Sequence, residues 1–283
     1  MSAHSINGAY NLSLFELVIQ ALVQGITEFL PVSSSGHLIL VRAGLGWPDP
    51  GLNFDVAIHV GTLVAVIIYL RSEVGRLFSG ALTLFRGHYN ADARLLMHIT
   101  IATLPVVIAG YMGKSFVADA TRTVSFVAAT TLVFGVLLYF ADRTGTHERT
   151  IDGLTPLHAL AIGIAQVFAL LPGTSRSGIT MTAARALGYD RTEAARFSML
   201  IGAPILAAAG LYGAMGLLTA DAAETVLTIK DGLIVAGIAF VTGLASIWFL
   251  MSLLSRMSFL PFVLYRFVLG AVLILGSPLI GLF

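Results

Sequence analysis

Apolar runs dominate the chain, and its polar residues gather where those runs stop. Unbroken apolar stretches cover about 54–70, 95–112, 123–141 and 232–250. Each is close to the roughly 20 residues that a helix needs to cross about 30 Å of hydrocarbon. Two more, 197–213 and 262–280, complete a set of six expected spans. Two further apolar stretches, 14–30 and 157–171, behave differently: each runs into a proline followed by serines and glycine, with a threonine as well in the second. Proline removes a backbone donor and clashes with the preceding turn, so a helix that meets Pro31 or Pro172 breaks there. Irregular backbone at membrane depth survives only where protein or a water-filled cavity satisfies it. The pattern therefore predicts re-entrant helix–loop–helix hairpins over 14–45 and 157–187, with two ordinary spans plus interfacial loops as the plainer alternative.

The two halves share a register. Pro31 and Pro172, Gly61 and Gly202, and Phe126 and Phe267 are each 141 residues apart. One shared offset argues for an internal duplication. The first repeat is read as 1–141 and the second as 156–283, joined by the polar linker 142–155, all within a single membrane domain, 1–283. Each half holds one hairpin and three spans. Three is odd, so the second half enters from the opposite side. The expectation is an all-α polytopic membrane protein with an inverted-topology repeat and a site near the midplane, where the broken helices meet.

Composition agrees with a membrane solvent. The chain is 57% hydrophobic and 11% charged, against about 25% charged for soluble domains, and its mean hydropathy is +0.90. A net charge of +1 gives no reason to expect nucleic acid as a partner. Without cysteine there is neither a disulfide nor a thiolate metal site. No basic stretch precedes the first apolar run, so a cleaved signal peptide is not expected. Arg71, Arg76, Arg86, Arg94, Arg143, Arg149, Arg185, Arg191, Arg196, Arg256 and Arg266 fall on one side of the expected spans, and Arg42, Lys114, Arg122 and Lys230 on the other. The basic excess makes the first side cytoplasmic. Both termini and the mouth of the first hairpin then face away from the cytoplasm, and the second hairpin enters from the cytoplasmic side.

The chemistry concentrates in the two breaks. In "QGITEFLPVSSSGH", Gln24 and Glu28 stand four apart on one helical face, and Ser33, Ser34, Ser35 and His37 follow. An ionised Glu at membrane depth is expensive and marks a functional candidate. A divalent cation, Mg²⁺ or Ca²⁺, shared with phosphate suits Glu28 and Gln24. Serine beside histidine suits a nucleophile with an acid–base partner. Plainer roles are a helix cap for the serines, a core histidine for His37 and a protonated structural acid for Glu28. In "LLPGTSRSGIT", Arg176 sits among Ser175, Ser177 and glycines. Glycines let backbone N–H groups approach an anion, and arginine grips phosphate oxygens with a planar fork. Its plainer role is an ion pair with Glu28 that closes the hairpins together. Facing one another, the motifs read as a phosphate site inside a membrane, whose natural ligand is a lipid phosphate. Asp55 and Arg196, also 141 apart, are weaker candidates for positions around the site, and Gln166 for its lining; His59 and His98 read as core histidines.

These motifs resemble the two signatures of the bacterial undecaprenyl-diphosphatases of the bacitracin-resistance type, Gln24 and Glu28 with Pro31–His37, then Pro172, Gly173, Ser175, Arg176, Ser177 and Thr180. The resemblance extends over essentially the whole chain, "FLPFVLYRF" near its end included. It implies hydrolysis of undecaprenyl diphosphate to the monophosphate and inorganic phosphate with a divalent cation, in the bacterial inner membrane, recycling a lipid carrier for peptidoglycan and other envelope polymers. The site would open to the periplasm. Two departures stand out: Gln24 replaces a frequent Glu, and Asp55 and His59 replace a frequent Glu-x-x-x-Gln. The expected roles are Ser34 as nucleophile, His37 as proton relay, Glu28 with Gln24 as cation ligands and Arg176 as phosphate clamp. Metal-activated water attacking in place of Ser34 stays open. Ser33, Ser35, Gly173, Thr174, Ser175, Ser177 and Thr180 are the expected substrate contacts. The partners are a polyprenyl diphosphate and membrane lipids, and a homodimer stays open. The rival reading is a lipid-phosphate transporter or flippase using the same anion site.

Overall fold

The computed structural model describes residues 12–113, 123–144, 148–219 and 227–276. Lys114 and Arg122 of the charge count, linker positions 145–147 and both termini lie outside the described residues. Within them the chain is all-helical: α1 (Leu14–Thr27), α2 (Ser34–Leu45), α3 (Leu52–Tyr69), α4 (Arg71–Phe85), α5 (Ala91–Met112), α6 (Val124–Arg143), α7 (Pro156–Val167), α8 (Arg176–Ala186), α9 (Arg191–Thr219), α10 (Ile229–Leu254) and α11 (Leu260–Gly276). A 3₁₀ turn, Phe168–Leu170, extends α7.

Among the described residues, five helices are long and apolar enough to cross a membrane: α3, α5, α6, α9 through Met215, and α10. The sixth expected span, 262–280, corresponds to α11, a shorter apolar helix of 17 described residues. Large apolar side chains such as Val107, Leu211, Val241 and Trp248 are exposed on the outer faces, as lipid contact requires. The chain is a polytopic membrane protein. α1 and α7 are shorter, with 14 and 12 residues, or about 21 and 18 Å at 1.5 Å per residue. Each continues through an irregular loop into another short helix, α2 or α8. The helix α4 has no counterpart among the expected elements. It is amphipathic and carries Arg71, Glu73 and Arg76 among its apolar residues, and this mixture hides it from a search for apolar runs.

Packing pairs the halves. α1 lies along α10 and α7 along α5; α3 packs on α9 and α10, and α6 packs on α11. The first two pairs depend on glycine. A Cβ at Gly25 would strike Thr242 and the carbonyl of Ala239 on α10; one at Gly163 would strike the backbone of Ala102 on α5. Such close approach anchors each short helix to a long one. One expectation needs correction. Arg266 is not a loop cation: it lies within α11 and is fully buried, so it drops out of the charge count. Arg185 is buried as well, bonded to Asp142, which also takes Arg191 and the backbone N–H of Phe259.

Candidate active site at the two helix breaks

Both breaks adopt one backbone solution. α1 stops at Thr27, and α2 restarts behind Ser33, its N-cap, at φ +74°. α8 restarts behind Ser175 at φ +69°. Among the described residues these are the only non-glycine positions at positive φ, a conformation that costs on the order of 1–3 kcal/mol and collects at functional sites. Each serine hydroxyl accepts the N–H three residues on, from Gly36 at 3.3 Å or Gly178 at 3.1 Å. Each also bonds the hydroxyl two residues on, Ser35 or Ser177, at 3.1 Å. These equivalent positions are 142 apart, whereas the prolines are 141 apart; the second loop holds one extra residue between proline and cap. Gly173, in that loop, takes φ +89°, and a Cβ there would meet Thr130 and the carbonyl of Val127.

The loops are stitched directly together. Gly173 N–H donates to Ser35 Oγ at 3.3 Å, and Ser177 Oγ donates to the Leu30 carbonyl at 2.9 Å. Beneath them Arg266 donates to the carbonyls of Thr131 (3.0 Å), Pro31 (3.3 Å), Gly173 (3.1 Å) and Thr174 (3.0 Å). A guanidinium spreads five donors in a plane, which lets one side chain hold carbonyls from both breaks.

Glu28, just beyond the end of α1, is the focus. Arg176 Nη2 reaches its Oε1 at 3.2 Å; Gln24 Nε2 (2.7 Å) and Ser34 Oγ (3.2 Å) both donate to its Oε2. The structure thus brings Gln24, Glu28, Ser34 and Arg176 together, and the expected ion pair between the hairpins is present. His37 stands apart from Ser34. Its Nδ1 bonds the Ser33 carbonyl at 2.7 Å and its Nε2 the Tyr265 hydroxyl at 2.6 Å, with the two rings stacked 5.4 Å apart. A carbonyl only accepts, so Nδ1 carries a proton, and in the neutral ring Nε2 then accepts from Tyr265.

Burial divides the expected substrate contacts. Ser34, Ser35, Ser175 and Arg176 keep accessible surface. Ser33, Gly173, Thr174, Ser177 and Thr180 are buried; Thr180 bonds Ser198 at 2.7 Å, and the enclosed Thr174 hydroxyl has no partner among the described residues. In this conformation the side chains of the second group shape the loops and are closed to a ligand. Asp55 lies near His59, Asp49 and Arg42, and Arg196 pairs with Glu73 and Glu193; neither is bonded to the Glu28 cluster. Gln166 is buried and donates to the Ala102 carbonyl; His98 is a buried histidine in α5.

The site is electropositive by construction. Two helices begin at the loops, and their first-turn N–H groups have no intrahelical acceptor. With Arg176 and Arg266 they face one carboxylate, Glu28, an arrangement suited to an anion. Among the described residues no group of three or more His, Cys, Asp or Glu could hold a metal. One carboxylate beside one amide still fits a hard cation that takes most of its ligands from water and phosphate. Glu28 and Gln24 are the residues that would hold it.

Sequence reasoning missed Arg266 and Tyr265. A signal existed: an arginine inside an otherwise apolar stretch marks a buried function as surely as Glu28 does.

The chain matches the family described as Bacitracin resistance protein BacA over residues 17–272. It is 50% identical over 283 residues to a protein named undecaprenyl-diphosphatase from Hyphomonas neptunium, covering 95% of this chain and 99% of that protein. Proteins of the same name from Maricaulis maris and Alteromonas mediterranea are 48% and 45% identical over 264 residues, each covering 93% of this chain and 98% of the relative.

Proposed function

From the membership of this chain in the bacitracin resistance protein family, we infer that it hydrolyses undecaprenyl diphosphate to undecaprenyl phosphate and inorganic phosphate. The observation that carries the mechanism is the Glu28 carboxylate, shared by Ser34 and Arg176 from opposite hairpins. A terminal phosphate competes with Glu28 for Arg176. Once Arg176 turns to phosphate, Glu28 keeps its bond to the Ser34 hydroxyl and is placed to take its proton. Ser34 Oγ attacks the terminal phosphorus as its proton passes to Glu28. The bond from phosphorus to the bridging oxygen breaks, and the lipid monophosphate leaves. Water then hydrolyses the phosphoserine to release phosphate. Arg176 and the helix N-termini offset charge on the transferring group. His37, bonded to Tyr265 and not to Ser34, is placed to serve the leaving oxygen. A divalent cation on the diphosphate, held by Glu28 and Gln24, would neutralise charge on the phosphates.

The finer architecture belongs to the same proposal. α1–α2 and α7–α8 form two re-entrant hairpins, and six spans surround them in an inverted repeat, 1–141 and 156–283 about the linker 142–155. The exchange of partners supports it: α1 on α10 mirrors α7 on α5, while α3 meets α9 and α6 meets α11. The basic excess around the α3–α4 junction and α9 supports a cytoplasmic location for that side, and with it a first hairpin that opens to the periplasm. Hydrolysis there recycles the lipid carrier of envelope polymers.

The test is phosphate release from the full chain in detergent with Mg²⁺ or Ca²⁺, combined with a rapid quench on substrate labelled in its terminal phosphate. Label on Ser34 and a loss of at least about 10³ in Ser34→Ala are expected. Substantial turnover by Ser34→Ala would hand the attack to water. A folded wild type that releases no phosphate would favour lipid transport instead.

A further inference from the structure

Among the clefts between helices of the described residues, two reach the helix breaks. One, of about 620 Å³, runs along α2 from Ser35 and Pro172 to Leu38, Arg42 and Asp49. Its rim carries the Arg42–Asp49 ion pair at 2.8 Å, a poor seat for hydrocarbon. Another, of about 590 Å³, lies between Tyr69 and Trp248 and includes no residue of either motif. The third, of about 300 Å³, lies between the end of α1 and the facing parts of α10 and α11. Leu30, Val32, Phe249, Leu253 and Phe262 form its apolar walls, and its polar end is His37 with Tyr265.

We propose that this third groove seats the isoprenyl units nearest the diphosphate and so makes the enzyme selective for longer over shorter prenyl diphosphates. The proposal rests on the hydrolase reading above. Continuity with the site argues for this occupant. His37 lines the groove, and its ring is fixed by the carbonyl of Ser33, the neighbour of Ser34. A tail in the groove therefore ends beside the nucleophile, with its first oxygen at His37. Size sets the reach. At about 30 Å³ per methyl-sized group, comparable to a water in the liquid, the groove holds about ten such groups, roughly two isoprenyl units. The rest of a long tail must leave it, and Phe249, half-exposed on α10, marks the side open to lipid. Leu253 stands one turn further along the same face of α10, so bulk there blocks the groove without touching the Glu28 cluster.

The experiment compares kcat/KM for dimethylallyl diphosphate, with one unit, and farnesyl diphosphate, with three, on the full chain in detergent. Each buried methylene is worth roughly a fourfold gain, so the wild type should prefer farnesyl by at least about tenfold. Leu253→Trp, which fills the groove, should bring that preference within about threefold of unity by slowing farnesyl turnover more than dimethylallyl turnover. Phe249→Ala, at a half-exposed position that tolerates truncation, should reduce the preference as well. Leu38→Trp, in the charged cleft, should leave the preference intact. The proposal is overturned if both groove variants retain the preference, if they slow both substrates equally, or if Leu38→Trp abolishes it. Failure of the hydrolase reading is distinct: the wild type would then release phosphate from neither substrate.

Discussion

Gly202 offers a way to disarm the site without unfolding the protein. It lies on α9, one turn beyond Ser198, whose carbonyl accepts Arg176 Nη1 at 3.4 Å. A Cβ at Gly202 would collide with that same Nη1 and crowd Cζ and Nη2. The obstacle is the far end of a flexible side chain, so Gly202→Ala expels the guanidinium and leaves the helix in place. Breaking the largely buried Arg176–Glu28 pair costs about 3–5 kcal/mol, of which alanine in place of glycine in a helix returns about 1 kcal/mol. Stability should therefore fall by about 2–4 kcal/mol, with the protein still folded. Catalysis should fall in the folded protein: removing one preorganised donor from a transition-state clamp typically costs 10²–10³ in rate, about 3–4 kcal/mol. The assay is kcat/KM for phosphate release, with thermal unfolding followed by the fluorescence of Trp47 and Trp248. Gly61→Ala is the contrast. At the matching position of the first half, a Cβ meets the Ala236 carbonyl on α10, backbone that cannot swing aside, so that variant should lose stability. A Gly202→Ala protein active to within threefold, or one whose activity falls only as it unfolds, would refute the reasoning.

Three further outcomes are expected. Arg266→Met strands four carbonyls, each worth about 1–3 kcal/mol when buried without a donor, while relieving several kcal/mol of buried charge; a net loss of about 3 kcal/mol, read as a lower melting temperature with slower turnover, should follow, and Arg266→Lys should recover less than half. Asp142→Asn leaves Arg185 buried without its carboxylate and should lower stability by about 3–5 kcal/mol in denaturant or thermal melts. Asp190 precedes α9; burial pushes its carboxyl up, but bonds from the Thr192 hydroxyl and from backbone N–H groups more than offset this and hold it below the usual range. Because the folded state lowers this pKa, its stabilisation is complete above the ordinary value of about 4 and is lost as the pH falls through the folded value. The melting temperature should drop over that acid range, and Asp190→Asn should flatten the drop.

How far the sequence could be read depended on what each element exposes to inspection. The spans were legible because lipid demands apolar residues at every turn, and the breaks because Pro31 and Pro172 interrupt such runs. Glu28 and Arg176 stood out for the same reason: a charge in an apolar setting needs a partner, and each supplies the other's. The helix α4 was illegible because an interfacial helix mixes Arg71, Glu73 and Arg76 with its apolar face. Arg266 was misplaced because a loop cation and a buried one look alike near the start of an apolar run. Nor could spacing show that His37 turns toward Tyr265, since that contact joins residues 228 apart. The 141-residue register was visible, but its slip to 142 inside the loops was not. One added residue between Pro172 and Ser175 leaves the caps equivalent in space and unequal in sequence distance.

That equivalence explains how one loop design yields two chemistries. Glycine would relieve the positive φ at Ser33 and Ser175, yet both positions keep serine. The hydroxyl caps a first-turn N–H and ties down the serine two residues on, fixing the direction of the first helical side chain between them. In α2 that side chain is Ser34; in α8 it is Arg176. Both reach the one carboxylate of Glu28, each at 3.2 Å. The proposed nucleophile and the proposed phosphate clamp thus stand at equivalent positions of two like loops, and the strain at each cap persists because relaxing it would release the residue whose aim it sets.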